Sequence, residues 1–124
     1  MVQGLDGLKV YQKSFSLAMK IYEESKLFPK EERYSLTDQV RRSSRAVSVC
    51  LAKAYRKRRY QSYFVSKLTD ADMENTETQV WLRYSLECKY ISQETYIALI
   101  SDSSEIGSMI EHMINHPEKF VIIA

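Results

Sequence analysis

Three glycines and two prolines in 124 residues leave this chain little to turn with. Backbone without those residues runs on in long regular elements, because sharp turns need the positive φ of glycine or the fixed φ of proline. The chain is also rich in Leu, Ile, Met, Lys, Arg, Glu and Gln, which lose little side-chain freedom in a helix. Few connections and many helix formers point to an all-α fold. At this length one domain can bury a core without disulfides or metals. Hydrophobic content of 44% and charged content of 27% are ordinary for a soluble globular protein.

Apolar spacing divides the chain into four helices at about 8–27, 35–58, 61–89 and 92–115, with an apolar tail at 118–124. The first has Leu8, Tyr11, Phe15, Ala18, Met19 and Tyr22 at helical spacing, and Phe28-Pro29 ends it, since proline disfavours helical geometry at the residue before it. The polar connection after Pro29 has room for one helical turn. In the second helix the stripe is Leu36, Val40, Val47, Leu51, Ala54 and Tyr55, with Ser43 and Ser44 where stripe residues are due. Small residues there let a neighbouring helix come close. The third helix has Phe64, Leu68, Ala71, Val80, Leu82, Tyr84 and Leu86. Its centre, from Thr69 to Gln79, is nearly all polar for three turns, so some of those groups must be buried or paired. Ser92 is a good N-cap for the fourth helix, with Ile91 and Tyr96 placed as a hydrophobic staple. That helix carries Tyr96, Ile100, Ile106, Met109, Ile110, Met113 and Ile114 and stops at His116-Pro117. Four helices with short connections predict an antiparallel up-down-up-down bundle in a single domain.

The charge distribution is the second constraint. Residues 39–69 hold nine of the 18 basic residues and none of the 16 acidic ones, so they carry +9 while the remainder carries −7. Three readings of this stretch stay open. It is a solvated helix face, or it pairs with acidic residues within or between subunits, or it contacts nucleic-acid phosphates. Arginine dominates, which suits bidentate phosphate contact, and Tyr55, Tyr60 and Tyr63 lie among the charges where bases can stack. Phosphate contact ranks first, with Arg41, Arg42, Arg45, Lys53, Arg56, Lys57, Arg58, Arg59 and Tyr60 as its candidates. No base-reading motif accompanies them. Asp70, Glu74 and Glu77 share one face of the third helix. Pairing with Arg41 or Arg45 across the bundle accounts for them better than acid–base catalysis, because a buried carboxylate needs a hydrogen-bonded partner. Asp70, Asp72, Glu74, Glu77 and Gln79 form the expected buried polar set.

Other chemistry finds few residues to work with. A di-iron bundle site needs Glu-x-x-His on two helices, and the only histidines are His112 and His116. Cys50 and Cys88 lack metal-ligand spacing or a histidine nearby in sequence, and read as buried, inert thiols. Glycines at 4, 7 and 107 cannot build a phosphate-cradling loop. The expectation is a non-enzymatic protein without metal or cofactor. The start of the sequence does not read as a secretory signal, and no apolar run nears the roughly 20 residues of a membrane span. A cytoplasmic protein with no membrane partner is expected.

Several stretches resemble a known family: Leu8-Lys9-Val10-Tyr11-Gln12-Lys13, Phe28-Pro29-Lys30-Glu31-Glu32-Arg33-Tyr34-Ser35-Leu36, Gln39-Val40-Arg41-Arg42, Glu77-Thr78-Gln79 and Tyr90-Ile91. They are similar to small bacterial four-helix-bundle proteins first noted as reading frames in intervening sequences of 23S ribosomal RNA genes. The family includes the accessory variability determinant of diversity-generating retroelements. The resemblance covers about residues 8–115. It implies a ring-like homopentamer, no catalytic activity, and a role in binding nucleic acid or a nucleic-acid enzyme. In the retroelement branch the ring binds RNA and the reverse transcriptase. Late in the second helix the family pattern has proline, then Asn-Ile-Ala-Glu-Gly, where this chain has Ser48 and Cys50-Leu51-Ala52-Lys53-Ala54. The change predicts a less interrupted and more basic helix. Where the third helix of the family is small and apolar, this chain has Asp70-Ala71-Asp72-Met73-Glu74-Asn75.

Overall fold

A computed structural model describes residues 4–121; residues 1–3 and 122–124, including the end of the apolar tail, lie outside the described residues. After a short 3-10 helix at Gly4–Gly7, α1 runs over Lys9–Ser25. Pro29 opens a 3-10 turn at Lys30–Glu32, the single helical turn for which the connection has room. Helix α2 spans Leu36–Arg56 without interruption, as expected where serine and alanine replace proline and glycine. Helix α3 spans Gln61–Glu87 and α4 spans Gln93–Asn115. The Thr95 backbone N–H donates to Ser92 Oγ at 3.1 Å, the expected cap. A last 3-10 turn at Pro117–Lys119 follows.

Each helix packs on the next in sequence, and α4 closes back on α1. Neighbouring helices run antiparallel. Arg41 near the start of α2 reaches Ser25 at the end of α1, at 2.7 Å. Lys13 and Lys20 of α1 meet Glu105 and Asp102 of α4 in reverse order. The core is apolar at Val10, Leu17 and Ile21 of α1, Val40, Val47 and Leu51 of α2, Phe64, Leu68 and Leu82 of α3, and Leu99, Ile106, Ile110 and Met113 of α4. Phe120 and Val121 pack against its edge, so the described start of the apolar tail is docked.

Two stripes differ from the sequence expectation. In α1 the buried residues are Val10, Ser14, Leu17, Ala18, Ile21 and Ser25, while Phe15 is 52% and Met19 47% exposed. The helix carries two apolar stripes about one residue apart, and the aliphatic one is inside. In α3 Val80 and Tyr84 face outward, and Asn75, Thr78 and Ser85 take the buried positions. The polar centre of α3 is thus buried, as its composition demands, but through neutral groups. Asn75 Nδ2 donates to the Ser103 carbonyl at 2.9 Å, and the Ser103 hydroxyl donates to Asn75 Oδ1 at 2.9 Å. Gln79 Nε2 donates to Ser103 Oγ at 2.9 Å. The Thr78 hydroxyl lies 2.9 Å from Ser43 Oγ and 2.9 Å from the Glu74 carbonyl. Buried amides and hydroxyls matched in this way avoid the desolvation penalty of an unpaired group.

The bundle has two unlike ends. At one, Glu32 accepts hydrogen bonds from the Ser35 hydroxyl, from the Leu36 N–H at 3.2 Å and from the Tyr90 hydroxyl at 2.8 Å. One carboxylate therefore joins the α1–α2 connection, the first turn of α2 and the α3–α4 turn, with Phe28 against Tyr90 beside it. Helix α3 ends there with Lys89 at φ 64°. The Tyr90 N–H donates to the Ser85 carbonyl and the Lys89 N–H to that of Leu86, both at 2.9 Å. That pair is the 6→1 and 5→2 pattern that glycine usually closes. The opposite end gathers the α2–α3 turn, the Gly4–Gly7 segment and the Pro117–Lys119 turn.

Candidate nucleic-acid interface

The α2–α3 turn is tight. Lys57 caps α2 by donating its N–H to the Lys53 and Ala54 carbonyls at 3.0 Å, and the Tyr60 N–H returns to the Lys57 carbonyl at 2.9 Å. This closure projects Arg56, Lys57, Arg58 and Arg59 from one end of the bundle with aromatic rings between them. The Arg58 guanidinium lies 3.8 Å from the centre of the Tyr55 ring, and its Nε donates to the Tyr55 carbonyl at 2.8 Å. Arg56 approaches the same ring at 6.0 Å, and Lys57 sits 4.9 Å over Tyr63. Tyr60 and Tyr63 meet edge to face at 5.9 Å and are 56% and 57% exposed. Cation–π contact orients a charge without neutralising it, so the positive field persists.

Arg41, Arg42 and Arg45 lie elsewhere on α2. Arg41 and Arg45 cover the Tyr22 ring of α1 at 4.8 and 5.7 Å, and Arg41 Nε donates to Ser25 Oγ. Arg42 pairs with Asp38 on its own helix at 3.5 Å. The expected pairing of Arg41 or Arg45 with Asp70, Glu74 or Glu77 does not form among the described residues of the protomer. The reason is helical phase: positions 41 and 45 project toward α1, while Ser43 of the same helix meets α3. Of the five residues expected as a buried polar set, Gln79 joins the internal network. Asp70 pairs with Lys67 at 3.4 Å, Asp72 and Glu74 are half-buried, and Glu77 is exposed. Burial, then Glu77 and Asp70 nearby, push the Glu74 carboxyl above its ordinary value.

Of the nine cations in residues 39–69, Arg42 and Lys67 have carboxylate partners. The other seven, Arg41, Arg45, Lys53, Arg56, Lys57, Arg58 and Arg59, have none within 4.0 Å among the described residues. By contrast, Lys13 and Lys20 on α1 are matched to Glu105 and Asp102, and Glu105 raises the Lys13 pKa. Lys9, Lys30, Arg33, Lys89 and Lys119 elsewhere are likewise unpaired among the described residues, so what sets Arg56 to Arg59 apart is four cations in succession at one end of the bundle.

Cys50 is half-buried, and burial pushes its thiol pKa up. Cys88 is exposed at the end of α3, not buried, because the helix closes there rather than two residues later. The His112 and His116 rings lie 4.7 Å apart, tilted at 42° to each other. Among the described residues no group of three or more metal-binding side chains forms, and no helix is long and apolar enough to cross a membrane. Of the aromatic residues of α1 placed in the core by their spacing, Phe15 is exposed, while Tyr11 and Tyr22 are half-buried, Tyr11 at the edge of the core and Tyr22 beneath the basic helix. Their one sequence signal is the second apolar stripe out of phase with Val10, Leu17 and Ile21.

Residues 6–112 match the family model described as 23S rRNA-intervening sequence protein. No curated protein matches the chain. Among solved structures, the chain is similar to a protein of unknown function from the S23 ribosomal protein family of Bacteroides thetaiotaomicron. The two are 27% identical with a TM-score of 0.78, over 85% of this chain and 97% of that one.

Proposed function

Because the chain belongs to the 23S rRNA-intervening sequence protein family, we propose that it is a non-enzymatic, oligomeric accessory protein that binds nucleic acid, RNA above all. The observation that carries this reading is the set of seven basic residues with no carboxylate partner among the described residues. Four of them, Arg56, Lys57, Arg58 and Arg59, crowd one end of the bundle among exposed tyrosines. Such a cluster attracts a polyanion by releasing its condensed counterions and needs no base-specific motif. A homo-oligomer, a ring of five in the resemblance, multiplies a weak patch by avidity. The same resemblance makes a nucleic-acid enzyme such as a reverse transcriptase the class of protein partner. Gel-shift titration tests the reading: RNA is retained at low salt and released progressively as salt rises. Absence of binding at low salt overturns it.

A second reading, a protein-interaction scaffold, is favoured by Asp72, Glu74 and Glu77, which meet no cation among the described residues. In an oligomer they are available to arginines of a neighbouring copy. Charge reversal at residues 56–59 separates the two. Loss of RNA with an unchanged solution mass supports the first, and a broken oligomer supports the second.

A further inference from the structure

Between α1 and α2 runs an open groove of about 430 Å³, within the size range of sites that hold a small ligand. Its apolar side is Tyr11 and Phe15 of α1 with Val49 of α2, and its rim is Lys53, Arg56 and Lys57. Phe15 and Val49 are half-exposed, at 52% and 50%, and no carboxylate of the described residues lines the groove. The Tyr11 and Phe15 rings sit 6.2 Å apart. Farther along α1, Met19 is exposed and Tyr22 lies under Arg41 and Arg45. From Tyr11 to Tyr22 the stripe extends about 16 Å at 1.5 Å per residue.

We infer that this groove binds single-stranded RNA, with unpaired bases against Phe15 and Tyr11 and the flanking phosphates on Lys53, Arg56 and Lys57. This rests on the nucleic-acid reading above and sharpens it. A duplex presents phosphates outward and keeps its base faces stacked within, so it has no use for an exposed aromatic floor. Single strands offer base faces and phosphates together, and proteins that bind them pair aromatic platforms with cations in this way. Charge complementarity selects this occupant. An apolar peptide matches only one half of the groove.

The test is fluorescence anisotropy with the full chain, comparing a labelled single-stranded RNA with a duplex of equal strand length. Wild type binds the single strand more tightly. Phe15→Ala weakens single-strand binding about 5- to 150-fold, the range for loss of one base-stacking platform, leaves duplex binding and its salt dependence unchanged, and keeps the helical circular dichroism. Phe15→Tyr retains binding, because a stacking face remains. Equal affinity for both RNAs, or an equal Phe15→Ala loss on both, overturns the groove and leaves the general nucleic-acid reading intact. A Phe15→Ala variant that falls to a smaller oligomer overturns it in favour of an interface between copies. No binding of either RNA at low salt overturns both.

Discussion

The two ends of the bundle handle charge in opposite ways. At the Glu32 end one carboxylate accepts three hydrogen bonds, two from the start of α2 and one from the α3–α4 turn, and the hydroxyl of Ser35, the N–H of Leu36 and the hydroxyl of Tyr90 are all consumed by it. At the Arg56 end three of four successive cations, Arg56, Lys57 and Arg58, meet aromatic rings, and none of the four meets an acid among the described residues. Polar groups satisfied within the fold secure connections. Unneutralised ones of a single sign repel each other and give back no stability until an anion arrives. The difference assigns the first end to holding the fold and the second to meeting a partner.

The largest expected effect comes from replacing Arg56, Lys57, Arg58 and Arg59 together with glutamine. If each contacts one phosphate, RNA affinity at 0.1 M salt falls about 10²- to 10³-fold and the log–log salt slope flattens by about 3. Anisotropy across a KCl titration reads both. Thermal stability changes little, since what is lost is three cation–π contacts and the hydrogen bond from Arg58 Nε to the Tyr55 carbonyl, all at the end of the bundle and outside its core. If this variant keeps its affinity but unfolds, the assignment of the two ends is reversed.

Next in size is the layer between the ends. Asn75→Leu removes the amide that Ser103 engages on both its hydroxyl and its carbonyl, and costs about 1–3 kcal/mol of folding stability. Urea denaturation shows this as a lower midpoint, with RNA affinity unchanged. An altered affinity at unchanged stability means the layer communicates with the basic end.

Glu32→Gln is a smaller change with a pH signature. Hydrogen bonds from Ser35, Tyr90 and Leu36 hold the Glu32 carboxyl below the usual range, so folding favours its ionised form. The stabilisation is complete above about pH 4.3, the ordinary value for glutamate in an unfolded chain, and is lost as pH falls through the lower folded value. The variant therefore melts below wild type at pH 7, and the gap narrows on acidification. A gap independent of pH shows that the network acts through shape rather than charge. The same bond pushes the Tyr90 phenol up to about 12, so its contribution persists well into alkaline solution and disappears as pH rises through that value.

The smallest effect also lies at the Glu32 end. Lys89 adopts a left-handed conformation that costs a residue with a Cβ about 1 kcal/mol. Lys89→Gly relieves this and raises the melting midpoint by a few degrees at most. A lower midpoint means the lysine side chain contributes more at that turn than its backbone costs.

Much of the fold was legible without coordinates. Pro29 and Pro117 stop helices, Ser92 starts one, and the scarcity of glycine and proline keeps the other connections few and short. These are local effects, and the helix limits fell within about two residues of expectation. The basic segment was equally plain, because charge composition needs no geometry. Its division was less so: Lys53 to Arg59 kept their unneutralised character, whereas Arg41 and Arg45 turned to Tyr22 instead of α3. Direction around a helix changes by 100° per residue, so a partner assigned from spacing fails when the phase is off by one.

The sequence by itself determined four helices, their order, and an excess of positive charge on the second, since propensity, capping and composition act within a few residues. Only the tertiary structure decided which stripe of α1 is inside. Val10, Leu17 and Ile21 interdigitate with the other helices, and that choice leaves Phe15 and Met19 exposed and Tyr11 and Tyr22 half-buried beside them. Only packing, too, could show that the polar centre of α3 is satisfied by Ser43 and Ser103 rather than by arginine. A hydroxyl and an amide fit between close helices where a guanidinium cannot. That same packing leaves the cations of the α2–α3 turn at one end of the bundle without an acid to meet among the described residues.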